Sequence, residues 1–110
     1  MVAQDPVGLF DSGVGGLSIM KEIRRLLPYE DLIYVADSKY CPYGEKTTKA
    51  IQERARMITK FLLGKNVKLI VVACNTASVA ALEQLRMEFS MPFVGVEPAV
   101  KQAALFTKKK

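Results

Sequence analysis

Val67-Lys68-Leu69-Ile70-Val71-Val72-Ala73, followed at once by Cys74-Asn75-Thr76, decides how the rest of the chain folds. Its apolar, β-branched character is continuous rather than alternating, which suits a strand covered on both faces, as in a parallel sheet. Downstream, Ala81, Leu82, Leu85 and Phe89 recur at helical spacing, and Phe93 to Val96 reads as another strand. Upstream, Ile51, Ala55, Ile58 and Leu62 mark an amphipathic helix stopped near Gly64. Before it come a loop holding Pro42 and Gly44 and a strand from Leu32 to Ala36. Further back, Val7-Gly8-Leu9-Phe10 is a strand, and Ile19, Ile23, Leu26 and Leu27 share one face of a helix that Pro28 ends. The order β-α-β-α-β-α-β predicts an α/β fold: a four-stranded parallel sheet between helical layers, wound with right-handed crossovers. Ala99 to Phe106 is expected to begin a further helix.

A chain of 110 residues, half of them hydrophobic, fits one globular domain spanning 1–110. The formal charge is +5, but Lys108, Lys109 and Lys110 supply three of those charges, leaving +2 for the remainder. Lys and Arg alternate with Glu along the helices instead of gathering on one face among aromatics, so no nucleic-acid partner is expected. No apolar run approaches the roughly 18 residues of a membrane span, and Met1 to Pro6 lacks the pattern of a signal peptide, so the expected location is cytoplasmic. Two cysteines, Cys41 and Cys74, are too few for a disulfide scaffold, and the sequence holds no His to complete a metal site or a Cys-His pair.

In an open parallel sheet, ligands bind beyond the carboxyl ends of the strands. The residues at those ends are polar: Asp11-Ser12-Gly13, Asp37-Ser38, Cys74-Asn75-Thr76 and Glu97-Pro98. One reading is that they cap the helices starting there, since short polar side chains accept orphan N–H groups. Capping does not call for a cysteine, however. A thiol between a buried strand and a helix meets the positive end of the helix dipole, which favours the thiolate. Cys74 could therefore act as a nucleophile or a proton-abstracting base, with Asn75 and Thr76 as donors to a carboxylate substrate. The alternative is a small buried thiol packing beneath the helix. Cys41, in a loop between Tyr40 and Pro42, has no such placement and reads as a spectator. Gly13-Val14-Gly15-Gly16 could cradle a phosphate, with Asp37 near a ribose, but the dinucleotide pattern needs a glycine where Ser18 stands. The same glycines could instead let backbone N–H groups approach a small carboxylate.

Four segments taken together, Phe10-Asp11-Ser12-Gly13-Val14-Gly15-Gly16-Leu17, Pro42-Tyr43-Gly44-Glu45-Lys46, Ala73-Cys74-Asn75-Thr76-Ala77-Ser78 and Gly95-Val96-Glu97-Pro98, closely resemble the motifs of glutamate racemases. The resemblance runs from Val7 almost to the end, and the long form of the first motif distinguishes it from aspartate and hydantoin racemases. It implies a three-layer α/β/α domain, flavodoxin-like or aspartate/glutamate racemase-like, one of two such domains that enclose glutamate. It further implies that Cys74 is one of two catalytic bases and that Asp11 assists it. Ser12, Pro42, Tyr43, Gly44, Asn75 and Thr76 would then bind glutamate, with Glu97 in support. No pyridoxal phosphate, other cofactor or metal takes part in the family's reaction, which supplies D-glutamate for peptidoglycan. The second thiol belongs to a Gly-Cys-Thr-His motif that this sequence lacks, so the chain is expected to be an amino-terminal fragment, nearly inactive alone. A homo-oligomer presenting Cys74 from both sides is a less favoured way to complete the site. The rival expectation is a non-catalytic module that binds a small dicarboxylate or a protein partner through the same edge.

Overall fold

A computed structural model describes residues 5–11, 16–37 and 45–95. Among them the elements follow the order β1 (Val7–Asp11), α1 (Gly16–Leu26), β2 (Leu32–Ala36), α2 (Thr48–Leu63), β3 (Leu69–Val72), α3 (Asn75–Glu88) and β4 (Phe93–Gly95). The strands form one sheet in the order β2-β1-β3-β4, and every neighbouring pair is parallel. In β1, Val7 lies opposite Leu32 on one side and Leu69 on the other, and Phe10 lies opposite Val35 and Val72. The continuous apolar run in β3 has the expected cause: strand pleating sends alternate side chains to two separate cores.

On one face, Val7, Leu9, Val71 and Ala73 are covered by Ile19, Met20 and Ile23 of α1. On the other, Phe10, Ile70, Val72 and Phe93 pack with Ile51, Ala55, Ile58 and Leu62 of α2 and with Ala77, Ala81, Leu82 and Leu85 of α3. The three-layer α/β/α expectation is met. Arg56 on α2 joins the two outer helices by donating two hydrogen bonds, of 2.8 and 2.6 Å, to Glu88 on α3. Those bonds come first, and one from Gln84 second, in holding the Glu88 carboxyl down to about 2.

Several boundaries differ from the sequence expectation. The third strand is Leu69–Val72 rather than Val67 to Ala73. Its ladder is bounded by its partner, because β1 begins after Pro6, which has a carbonyl but no N–H to pair. Lys68 N–H still donates to Pro6 O at 2.8 Å, and Ala73 N–H donates to Phe10 O at 2.7 Å. Gly64 does follow α2, but in a right-handed conformation (φ −64°, ψ −16°). The left-handed residue of this turn is Asn66 at φ 59°, a residue type that tolerates it. Phe89 lies just past α3 in extended conformation rather than within the helix. In β4, a Cβ at Gly95 would run into Leu82 and the Ser78 hydroxyl, so the absent side chain allows α3 to lie close. Val96 and the helix expected over Ala99 to Phe106 lie outside the described residues.

Thr59 on α2 is fully buried, and its hydroxyl has no hydrogen-bond partner among the described residues. A buried hydroxyl without a partner loses its hydration with nothing in return. Thr59→Val keeps the shape and removes the orphan oxygen, and is expected to raise the unfolding free energy by about 1 kcal/mol. Urea denaturation of the two proteins checks this, and a lower midpoint for the valine variant would contradict it.

Candidate active site

The strand order creates a switch point. From β1 the chain crosses over α1, on one face, to β2 at one edge; from β2 it returns over α2, on the other face, to β3 on the far side of β1. The connections leaving β1 and β3 thus part in opposite directions, and in open parallel sheets such a switch point is where ligands bind. Asp11 is the last residue of β1, and Cys74 stands two residues beyond the end of β3.

Cys74 is the N-cap of α3. Its backbone is extended (φ −106°, ψ 125°), its Sγ accepts the Ala77 N–H at 3.5 Å, and its carbonyl accepts the Ser78 N–H at 2.9 Å. The sulfur packs in the larger core, with 9% of the residue exposed, as the packing reading expects, and it also does the capping expected of an oxygen. Asn75 and Thr76, the first two residues of α3, are exposed at the same corner. Their backbone N–H groups belong to the first helical turn, which has no intrahelical carbonyl to take them.

Asp11 is completely buried, and its Oδ2 accepts the Tyr34 hydroxyl at 3.0 Å. Its backbone carbonyl accepts the Asp37 N–H at 2.8 Å, which ties the end of β1 to the end of β2. Burial, and then the bond to the Asp11 carboxylate and its charge, push the Tyr34 phenol up to about 12 from its ordinary 10.0. The folded-state value lies above the unfolded one. Tyr34 therefore contributes stability that is complete below pH 10 and is lost as the pH rises towards 12. Tyr34→Phe is expected to flatten the alkaline loss of stability in that window, as followed by urea midpoints against pH. An unchanged alkaline slope would contradict the assignment.

Pleating puts Asp11 on the same face as Val7 and Leu9, whereas Cys74 belongs to the core around Phe10 and Val72. The structure thus brings the two candidate residues to one edge of the sheet but to opposite faces of it. Asp37 is also buried, and Arg54 of α2 grips both its oxygens, through Nε at 3.0 Å and Nη2 at 2.8 Å. That bidentate pair gives Asp37 a structural partner in place of a ribose. Ser12, Pro42, Tyr43, Gly44 and Glu97, together with Cys41, Ser38 and Gly13 to Gly15, lie outside the described residues. Among the described residues, no group of three or more Cys, Asp or Glu side chains could hold a metal ion, and no helix is long and apolar enough to cross a membrane.

Two residues that matter here escaped the sequence reasoning. Tyr34 sits in an apolar run and reads as core, although its place two residues before the end of β2 aims it at the tip of the neighbouring strand. Arg54 sits on a helix rich in charge, where nothing in the spacing separates a clamp from a solvated side chain.

A parallel sheet with a switch point, a thiol capping the helix after one inner strand and a buried carboxylate ending the other, is the arrangement at whose carboxyl edge open α/β domains hold small ligands. The chain belongs to the Asp/Glu/Hydantoin racemase family, which it matches over residues 7–110. It is 56% identical over 107 residues to the glutamate racemase of Ectopseudomonas mendocina, covering 96% of this chain and 41% of that protein. It also superposes on the crystal structure of Escherichia coli glutamate racemase in complex with L-glutamate and the activator UDP-MurNAc-ala, with TM-score 0.82 and 50% identity over 91% of this chain and 38% of that one. For the Francisella tularensis glutamate racemase in complex with D-glutamate the TM-score is 0.80 at 40% identity, over 86% of this chain and 36% of that one. The chain thus spans about two fifths of the length of the curated relatives it matches.

Proposed function

We propose that this chain is the amino-terminal domain of a glutamate racemase and carries half of its active site. Racemisation breaks the α C–H bond of glutamate on one face and forms a new one on the other, so an acid/base group must stand on each side of the carbon. In this reading the Cys74 thiolate takes the α-proton from one enantiomer, and the Cys74 thiol returns a proton when the other is the substrate. The electron pair left on carbon spreads into the α-carboxylate, which is stabilised by hydrogen bonds in a site sheltered from water. Asp11 assists Cys74. Ser12, Pro42, Tyr43, Gly44, Asn75 and Thr76 bind glutamate, with Glu97 in support. The reaction uses no cofactor, and the opposing thiol comes from a second domain absent from these 110 residues. The product serves peptidoglycan synthesis in the cytoplasm.

The observation that carries this reading is the placement of Cys74, at the switch point and at the N-terminus of α3, within a chain whose relatives are glutamate racemases. Support for the substrate comes from two neighbours whose crystals hold L- and D-glutamate. One observation favours the rival reading of a non-catalytic dicarboxylate module: the sulfur is packed in apolar surroundings.

Circular dichroism of D- or L-glutamate solutions distinguishes them. The 110-residue chain alone is expected to give almost no change in optical activity, and addition of a carboxyl-terminal half is expected to restore it. Rapid racemisation by the chain alone would contradict the division of the site between two domains.

A further inference from the structure

We infer that Tyr34 is a positioning residue for this site, its hydroxyl fixing the Asp11 carboxylate at the end of β1. This inference rests on the racemase reading above and extends it to a residue that touches neither Cys74 nor substrate in that reading. Asp11 is 0% exposed, at the carboxyl end of an inner strand beside the switch point. A buried carboxylate that must act on a neighbour needs a fixed rotamer as well as compensation for lost water. Tyr34 supplies both from one side: it lies on the neighbouring strand opposite Leu9, diagonal to Asp11, and its hydroxyl donates to Oδ2 at 3.0 Å. Its ring packs into the core beneath α1, beside Val7 and Leu9, so the hydroxyl is delivered by a side chain with little freedom. The Asp37 N–H on the Asp11 carbonyl fixes the main chain at the same point. The carboxylate is thus held from the β2 side, on the face of the sheet opposite Cys74, and any action on Cys74 has to pass over the sheet edge.

The test uses the complete gene product. Tyr34→Phe keeps the ring and removes only the donor. It is expected to lower kcat for glutamate racemisation about tenfold, the effect of one lost hydrogen bond to a charged group, with KM changed less than about twofold. A packing role alone would lower the amount of folded protein and leave kcat per folded molecule unchanged. The decisive arm is a double-mutant cycle: in an Asp11→Asn background, Tyr34→Phe is expected to have no further effect on kcat, because it acts through the carboxylate. A second arm reads the bond itself by tyrosinate absorbance in the 110-residue chain, where Asp11→Asn is expected to bring one high-pH tyrosine down towards its ordinary range. Full kcat in Tyr34→Phe, or the same fall with and without Asp11, would overturn the inference while leaving the racemase reading intact. A wild-type protein that does not racemise glutamate would overturn both, and an unmoved tyrosine titration would overturn the bond.

Discussion

Cys74→Ser is expected to leave the domain folded and to lower glutamate racemisation by the complete gene product about 10³-fold, the scale of one general acid/base group. Serine separates the two things this residue does. As the N-cap of α3, the side chain accepts the Ala77 N–H, and serine is among the best residues for that task, so the helix start should be as stable as before or more so. As an acid/base, serine fails, because an alcohol gives up its proton far less readily than a thiol. The comparison is kcat by circular dichroism against the urea midpoint of the same preparation. Activity within a few fold of the wild type would mean that the sulfur only caps and packs, and that another group moves the proton.

The second large effect is structural. Phe10→Ala is expected to cost about 3–5 kcal/mol of unfolding free energy, the usual range for deleting a buried aromatic ring. Phe10 is fully buried on the central strand, flanked by Val35 of β2 and Val72 of β3, and it stands in the core shared with α2 and α3. Among the described residues most of its core neighbours lie on strands and helices, which limits collapse into the space. Domains of this size hold only about 5–15 kcal/mol in total, so the variant should be partly unfolded at room temperature. Denaturant titration followed by far-ultraviolet circular dichroism measures this. A loss below about 1 kcal/mol would show that the two-sided core is far looser than its burial implies. Because Asp11 follows Phe10 directly, the same substitution should also blur the carboxylate end of the site.

The element order was legible because the chain is locally consistent. Leu32 to Ala36 stands out between a proline-ended helix and a polar tip, and it is β2 to the residue. Runs at the sheet centre were over-read at their ends, since Val67 and Ala73 are as buried as the strand but fall outside the ladder that Pro6 and the turn into α3 delimit. Hydrophobic pattern reports burial, and hydrogen-bond pairing is decided by the partner strand. The strand order, and with it the switch point between β1 and β3, depends on which face each helix takes, and alternation of elements does not specify that. At the site, the polar tips were visible as a set, but their partners were not. Tyr34 meets Asp11 across 23 positions and Arg54 meets Asp37 across 17, and neither pair shares a local motif. For Cys74 the sequence leaves chemistry and packing beneath the helix open, and capping of α3 by the sulfur, which places the thiol, is visible only in the structure.

Placing a glutamate-facing thiol at the head of α3 is the claim on which the functional reading stands, and proton NMR of D- and L-glutamate, each in deuterium oxide, tests it most directly. With the complete gene product, the α-proton signal of both is expected to fade as solvent deuterium enters at carbon, and Cys74→Ser is expected to stop that exchange for the one enantiomer whose α-proton this sulfur takes, while the protein stays folded. Exchange that proceeds undiminished from both enantiomers in the serine variant would contradict a role for this sulfur in moving the proton.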